Sequence, residues 1–223
     1  MLYIIYKDLY QSRKTILLYF LIGLVFIVSS SLNDMGIAMS AAFIFLLVYG
    51  VVVRNEYTED KNKGYSLLRT LPIKPCKIVL SKYLTALLLA TTGVLFYFII
   101  AKLSGGRIVI DSLSRSVVLI GAGFALIFTG ILYIFIFKYG AAKAINISRL
   151  FFFGFFFLPG IISSLVKYIP KPSFIESGEL EIALEKFLSN LFGSTLIIVG
   201  LSLIIYLLTM LVSINQFKKN KIM

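Results

Sequence analysis

The chain has 223 residues, 59% of them hydrophobic and only 14% charged, with a mean hydropathy of +0.97. Soluble domains average about 45–50% apolar and about 25% charged, so this composition excludes an ordinary soluble domain and points to a polytopic membrane protein built as a single domain, 1–223. Histidine is absent, which removes His-based metal sites, zinc-type intramembrane proteolysis and Ser-His-Asp or Cys-His catalysis; the single cysteine, Cys76, can form no internal disulfide and reads as a reduced thiol.

Residues 1–14, MLYIIYKDLYQSRK, place Leu2, Ile5 and Leu9, with Tyr3, Tyr6 and Tyr10, at helical spacing. Lys7, Asp8, Gln11, Arg13 and Lys14 occupy the rest, so an interfacial helix lying on the membrane is expected. The apolar run Thr15–Ser31 competes as a signal peptide because it ends in Ser29-Ser30-Ser31, but it exceeds an h-region of about 7–15 residues and is taken as the first span. A span needs about 20 apolar residues. Six segments qualify: 15–32, 36–53, 80–101, 116–137, 148–169 and 190–214. Asn33-Asp34 predicts a tight turn, Lys102–Ser114 with Gly105-Gly106 a loop, and Lys138–Ile147 a connection. The fifth segment begins LFFFGFFFLPG, where Pro159 predicts a kink, and Pro170 and Pro172 end it. In Phe174–Leu191 an apolar stripe of Leu180, Ala183, Leu184, Phe187, Leu188 and Leu191 opposes Glu181 and Glu185. This segment is too charged to cross, so 170–189 is expected to lie at the outer surface as an amphipathic element, with a solvated connector as the alternative.

The net charge of +12 would suggest nucleic acid by magnitude alone. With both termini in the cytoplasm, however, 16 basic and 4 acidic residues fall inside, and six of each fall outside. The whole excess is then a topology signal, and nucleic-acid binding loses its motivation. Tyr19, Tyr49, Tyr83, Tyr97, Tyr139 and Tyr168 fall near span ends and are expected in the interfacial belt.

The longest polar interval, Arg54–Tyr83, holds ten charged residues. Within it Gly64, Leu67, Leu68 and Leu71 stand at i, i+3, i+4 and i+7, one narrow apolar stripe. Glu59, Asp60, Lys61 and Lys63 are expected as the charged start of this short helix, and Pro72 and Pro75 as its stop. Lys77–Tyr83 then leads into the third span, so a push on the helix would reach a transmembrane helix. Periodicity alone fits an ordinary interfacial loop helix equally well.

The run Glu56…Gly64-Tyr65-Ser66-Leu67-Leu68-Arg69-Thr70-Leu71-Pro72-Ile73…Ile78-Val79…Ser81-Lys82-Tyr83 resembles the cytoplasmic loop of the type-2 ATP-binding-cassette (ABC) exporter permeases. The likeness extends along the chain and is nearest to small bacterial members without a fused ATPase, such as phenol-soluble-modulin exporters and bacteriocin or antibiotic immunity exporters. It implies an all-α, six-span permease in the bacterial cytoplasmic membrane, with an N-terminal interfacial helix and a cytoplasmic coupling helix within 54–79. It further implies a separate ABC ATPase that binds ATP and magnesium, a second permease copy, and export of a hydrophobic or amphipathic substrate. By the same resemblance, Glu56, Tyr57, Lys63, Gly64, Tyr65, Leu67, Leu68, Arg69, Leu71 and Pro72 are the coupling positions.

No G-x-x-x-x-G-K-[ST] loop occurs, so the chain brings no nucleotide site, cofactor or metal site of its own and is not expected to be an enzyme. Gly121, Gly123, Ala125 and Gly130 lie inside a span and are expected to let helices approach closely. Lys143 and Arg149 stand at the cytoplasmic mouth of the fifth span and, with Phe153, Phe156 and Pro159, are candidates for the substrate pathway; positive-inside residues and lipid-facing phenylalanines need no such purpose. Ser164 and Lys167 match a short S-x-x-K pattern that has no other catalytic group beside it. The rival function is an ATPase-independent channel or secondary carrier. No charged residue stands in the middle of any expected span, which speaks against ion coupling.

Overall fold

The computed structural model describes residues 2–29, 35–70, 72–105, 108, 111–150 and 195–219. These residues form helices. In chain order they are α1 (Leu2–Gln11), α2 (Arg13–Ser29), α3 (Met35–Lys61), α4 (Gly64–Thr70), α5 (Pro75–Leu103), α6 (Ser112–Tyr139), α7 (141–150) and α8 (Thr195–Lys219). By length and hydropathy Ala38–Lys61, Pro75–Leu103, Ser112–Tyr139 and Thr195–Lys219 can each cross a membrane. The α1–α2 pair, bent by 65° at Ser12, makes up to five. The described chain is thus an all-α membrane protein with four to five candidate spans. Most of the expected fifth span, with Phe153, Phe156 and Pro159, lies outside the described residues, as do Asn33-Asp34 and the outer segment 170–189.

Three boundaries differ from the sequence reading. First, α3 continues through the polar interval to Lys61. Its buried stripe runs Ile44, Leu47, Val48, Val51 and Val52, then Asn55, Glu56 and Glu59 in the same helical phase. Glu59, Asp60 and Lys61 therefore end the spanning helix and do not start the short one. Second, Pro75 opens α5 within its first two positions, where the missing N–H costs no helical bond. Third, the expected connection after Lys138 shrinks to Gly140, whose φ of 90° only glycine adopts easily, and the chain is helical again over 141–150. Tyr49 Oη lies 3.1 Å from Ser148 Oγ and ties α7 back to α3.

The core is held by aromatic contacts and by small residues. Phe20, Phe43 and Phe96 join α2, α3 and α5, with Phe20 and Phe96 centroids 4.7 Å apart. Tyr83, Tyr133 and Tyr206 join α5, α6 and α8. Tyr206 donates to the Tyr83 carbonyl at 2.8 Å, and Tyr83 shares a 2.8 Å bond with Ser213. Tyr83 and Tyr97 are thus core residues, not belt residues, while Tyr139 is exposed. Burial wins because each phenol on α5 can satisfy its hydroxyl inside the bundle.

The α6–α8 pair repeats every seven residues on both helices. Ser116 meets Thr195, Gly123 meets Ser202, and Gly130 meets Thr209. The constant offset means parallel helices in register with a seven-residue repeat of contacts. The glycines let the two backbones close up, as expected from the small residues in this span. Gly121 does the same on the other side, against Ala41 of α3.

Candidate functional site

Polar groups converge at one end of the bundle. The Tyr65 ring of α4 contacts Phe137 at the end of α6 and Phe217 at the end of α8. Asp8 of α1 contacts Lys82 near the start of α5, and Lys7 contacts Glu59 at the end of α3. The same end therefore gathers α1, α4 and the termini of α3, α5, α6 and α8.

At its centre lies a buried ion cluster. Lys82 is 1% exposed, yet its ammonium lies 3.0 Å from Asp8 Oδ2, 3.2 Å from Glu56 Oε1 and 3.5 Å from Glu59 Oε1. These are close ion pairs without the alignment of good hydrogen bonds. Lys7 adds a second ammonium against Glu59 and, at 3.7 Å, against Asp8. Three carboxylates thus face two ammoniums. The odd carboxylate receives its extra donor from Tyr65, whose hydroxyl donates to Glu56 Oε2. Burial pushes the Tyr65 phenol well above its usual pKa, and the Glu56 carboxylate adds to the shift, so the O–H stays in place as a donor. Tyr133 donates to the Lys82 carbonyl at 3.4 Å.

The cluster corrects two sequence readings. Lys82 counts there as a positive-inside anchor, and Asp8 as part of the wet face of α1. In the structure both are buried, while Leu2, Tyr3, Tyr6 and Tyr10 are the exposed face of α1. The signal was present in the phase. Asp8 follows buried Ile4 by one turn, and Lys82 follows buried Ile78 and precedes buried Ala86 by one turn each. Buried charges are costly unless paired, so a charge at a core phase calls for a counter-charge on a facing helix.

The short helix α4 presents two faces. After Asn62, Lys63 takes a left-handed φ of 52° and turns the chain into α4. Tyr65 and Leu68 are buried under the bundle, whereas Leu67 is 64% exposed and Tyr57, on the last turns of α3, is 56% exposed. The stripe expected from Gly64, Leu67 and Leu68 is therefore rotated: the inward pair is Tyr65 and Leu68. The Tyr65 ring packs against both Phe137 and Phe217. Glu56 is fully buried; Lys63 and Pro72 are exposed, and Gly64 is half-buried. The Arg69 side chain and Leu71 lie outside the described residues. Lys143 and Arg149, on α7, are both exposed. Among the described residues, no group of three or more Cys, Asp or Glu side chains can hold a metal ion.

A bundle of spans whose polar end carries a short helix slung between two of them has the form of a membrane permease. Residues 3–218 match the family model of the ABC-2 family transporter proteins, and the chain belongs to that family. It is accordingly the membrane permease component of an ABC-2 type transporter, a multi-pass protein whose ATPase is not in this chain. No curated protein matches the sequence.

Proposed function

We propose that this permease works as a dimer of six-span subunits with a separate ABC ATPase, and exports a hydrophobic or amphipathic substrate such as a peptide toxin, bacteriocin or antibiotic. The ATPase docks on the polar end, which is cytoplasmic, and α4 is the coupling helix. The observation that carries this reading is the pair of faces on α4. One face is seated in the bundle through Tyr65 and Leu68, and the other presents Leu67; Tyr57 on the last turns of α3 is exposed as well. Asn62-Lys63 links α4 to α3, and only four residues, 71–74, separate it from α5, so movement of the docked partner reaches two spans. The basic residues Lys61, Lys63, Lys74 and Lys77 surround it, which supports a cytoplasmic placement. In binding terms, nucleotide in the partner must favour one arrangement of the bundle over another.

On this reading Tyr57, Lys63, Gly64, Leu67, Arg69, Leu71 and Pro72 belong to the docking surface. Glu56, Tyr65 and Leu68 hold it in place from behind. Lys143, Arg149, Phe153, Phe156 and Pro159 are assigned to the substrate pathway on sequence grounds. The test is co-expression with the cognate ATPase. Leu67→Asp and Tyr57→Asp are expected to abolish co-purification and ATP-driven transport while membrane insertion continues; retention of the complex in both variants would overturn the assignment.

The rival reading, an ATPase-independent channel or carrier, draws on the buried charges around Lys82. Those charges are paired with one another at one end of the bundle and not set in mid-span. Proteoliposomes containing the permease alone are expected to show no transport; substrate flux there would favour the rival.

A further inference from the structure

We infer that the ion cluster around Lys82 clamps the surface helix α1 to the coupling apparatus, so that α1 moves with α4 and α5 as one body. In this arrangement Asp8 is the positioning residue that joins α1 to it. The inference rests on the reading of α4 as the coupling helix and adds α1 to the transmission.

The geometry is specific. Lys82 sits on α5 about two turns after the Pro75 start, near the end at which a push from α4 arrives. Its ammonium takes carboxylates from two other helices, Asp8 of α1 and Glu56 and Glu59 of α3. Lys7 closes a second link from α1 to Glu59. Tyr65 closes the link from α4, donating to Glu56 and placing its ring 5.8 Å from the Lys82 ammonium. Four helices thus meet at one charge. On α1 Ile4 and Ile5 join Asp8 in the buried face and Leu9 packs partly against the core, while Leu2, Tyr3, Tyr6 and Tyr10 point outward. A ten-residue helix is marginal in isolation, so its position depends on such contacts with its neighbours, to which the ion pairs add. A buried ion pair adds little net stability over an apolar pair, but it sets register, because every other alignment leaves a buried charge unpaired.

Charge arithmetic selects the variant that tests this. Asp8→Asn keeps the shape and leaves two carboxylates, Glu56 and Glu59, against two ammoniums, so the fold is expected to survive. Lys82→Met is the harsher variant and leaves three carboxylates with one ammonium.

The first readout needs no partner. On a Cys76→Ser background, Ile5→Cys is expected to resist a water-soluble maleimide in the otherwise unchanged protein. With Asp8→Asn added, labelling should quicken by on the order of tenfold, as α1 lifts off at lower cost. The second readout uses the complex with the ATPase in proteoliposomes. Asp8→Asn should leave co-purification and basal ATP hydrolysis unchanged while transport per ATP falls by about tenfold, the mark of lost coupling as opposed to lost assembly.

Unchanged labelling in both Asp8→Asn and Lys82→Met overturns the clamp. Faster labelling with transport per ATP intact overturns its role in transmission. Failure of the unaltered permease to bind any ATPase would sink the proposed function, while the labelling result would still decide whether α1 is clamped.

Discussion

A side chain added at Gly130 on α6 would bring its Cβ within 2.4 Å of Thr209 Oγ1 on α8. No real carbon approaches that closely, so Gly130→Ala must push the helices apart or turn Thr209. Thr209 resists turning, because its hydroxyl donates to the Tyr206 carbonyl at 2.7 Å and β-branched residues have few rotamers in a helix. Overpacking of this kind costs about 1–3 kcal/mol. Removing the obstacle with Thr209→Ala in the double variant is expected to restore about half of that, since Tyr206 remains 3.1 Å from the added carbon. Unfolding in mixed detergent micelles measures the cycle; equal stability of Gly130→Ala and the unaltered protein would contradict the close approach.

Gly121 makes the instructive contrast. Its added Cβ would meet the Ala41 Cβ at 2.7 Å and the Ala41 backbone Cα at 3.1 Å. A backbone atom cannot rotate aside, so α3 and α6 must separate. Gly121→Ala is expected to cost at least as much as Gly130→Ala, about 2–3 kcal/mol, and Ala41→Gly should recover only part of it. Full recovery in that double variant would mean that the two helix backbones are not as close as they stand here.

Much of this fold was legible because lipid-spanning helices need long apolar runs, and hydropathy alone locates α3, α5, α6 and α8 to within a few residues outside the polar interval. The errors gather where burial and polarity part company. Arg54 to Lys61 looks like a loop by composition, yet Asn55, Glu56 and Glu59 continue the buried stripe of Val48, Val51 and Val52, so the helix does not stop. Lys82 looks like a topology signal because a charge count does not distinguish a wet lysine from one enclosed by three carboxylates. The partner residues Asp8 and Lys82 are 74 positions apart, and no local pattern pairs them. On α4 Leu68 of the expected stripe turns inward but Leu67 does not, and the larger neighbour Tyr65 is buried in its place.

Asp111 caps α6, accepting from the Ser114 backbone N–H at 2.8 Å. Hydrogen bonds from Ser114, the hydroxyl first and the backbone N–H second, hold its carboxyl below the usual aspartate value. A folded-state pKa below the unfolded one gives stability that is fully present above the unfolded value of about 3.9 and is lost as pH falls through the folded pKa. Asp111→Ala is expected to destabilise by about 1 kcal/mol at neutral pH. Asp111→Asn should keep most of the cap and lose the acid dependence, so the two proteins should converge in stability as the solution is acidified toward pH ~3. Parallel stability curves for the aspartate and asparagine forms across that range would show that the cap is not ionic.

Tyr65→Phe removes the neutral donor that α4 supplies to a carboxylate of the ion cluster. The ring stays between Phe137 and Phe217, so packing is conserved, and only the hydroxyl that donates to Glu56 is lost. Glu56 is then a fully buried carboxylate left with Lys82 alone, which Asp8 and Glu59 also claim. Hydrogen bonds to charged groups contribute about 1.5–3 kcal/mol, and the loss here should fall in that range. Adding Glu56→Gln to Tyr65→Phe removes the surplus carboxylate and leaves Asp8 and Glu59 against Lys7 and Lys82. The double variant is therefore expected to be more stable than Tyr65→Phe alone, by about 1 kcal/mol or more. The sign matters more than the size: in an ordinary polar contact a second deletion adds cost, whereas in a cluster with one carboxylate too many it removes the cause. A double variant less stable than Tyr65→Phe would mean that Glu56 is not the surplus charge that Tyr65 serves.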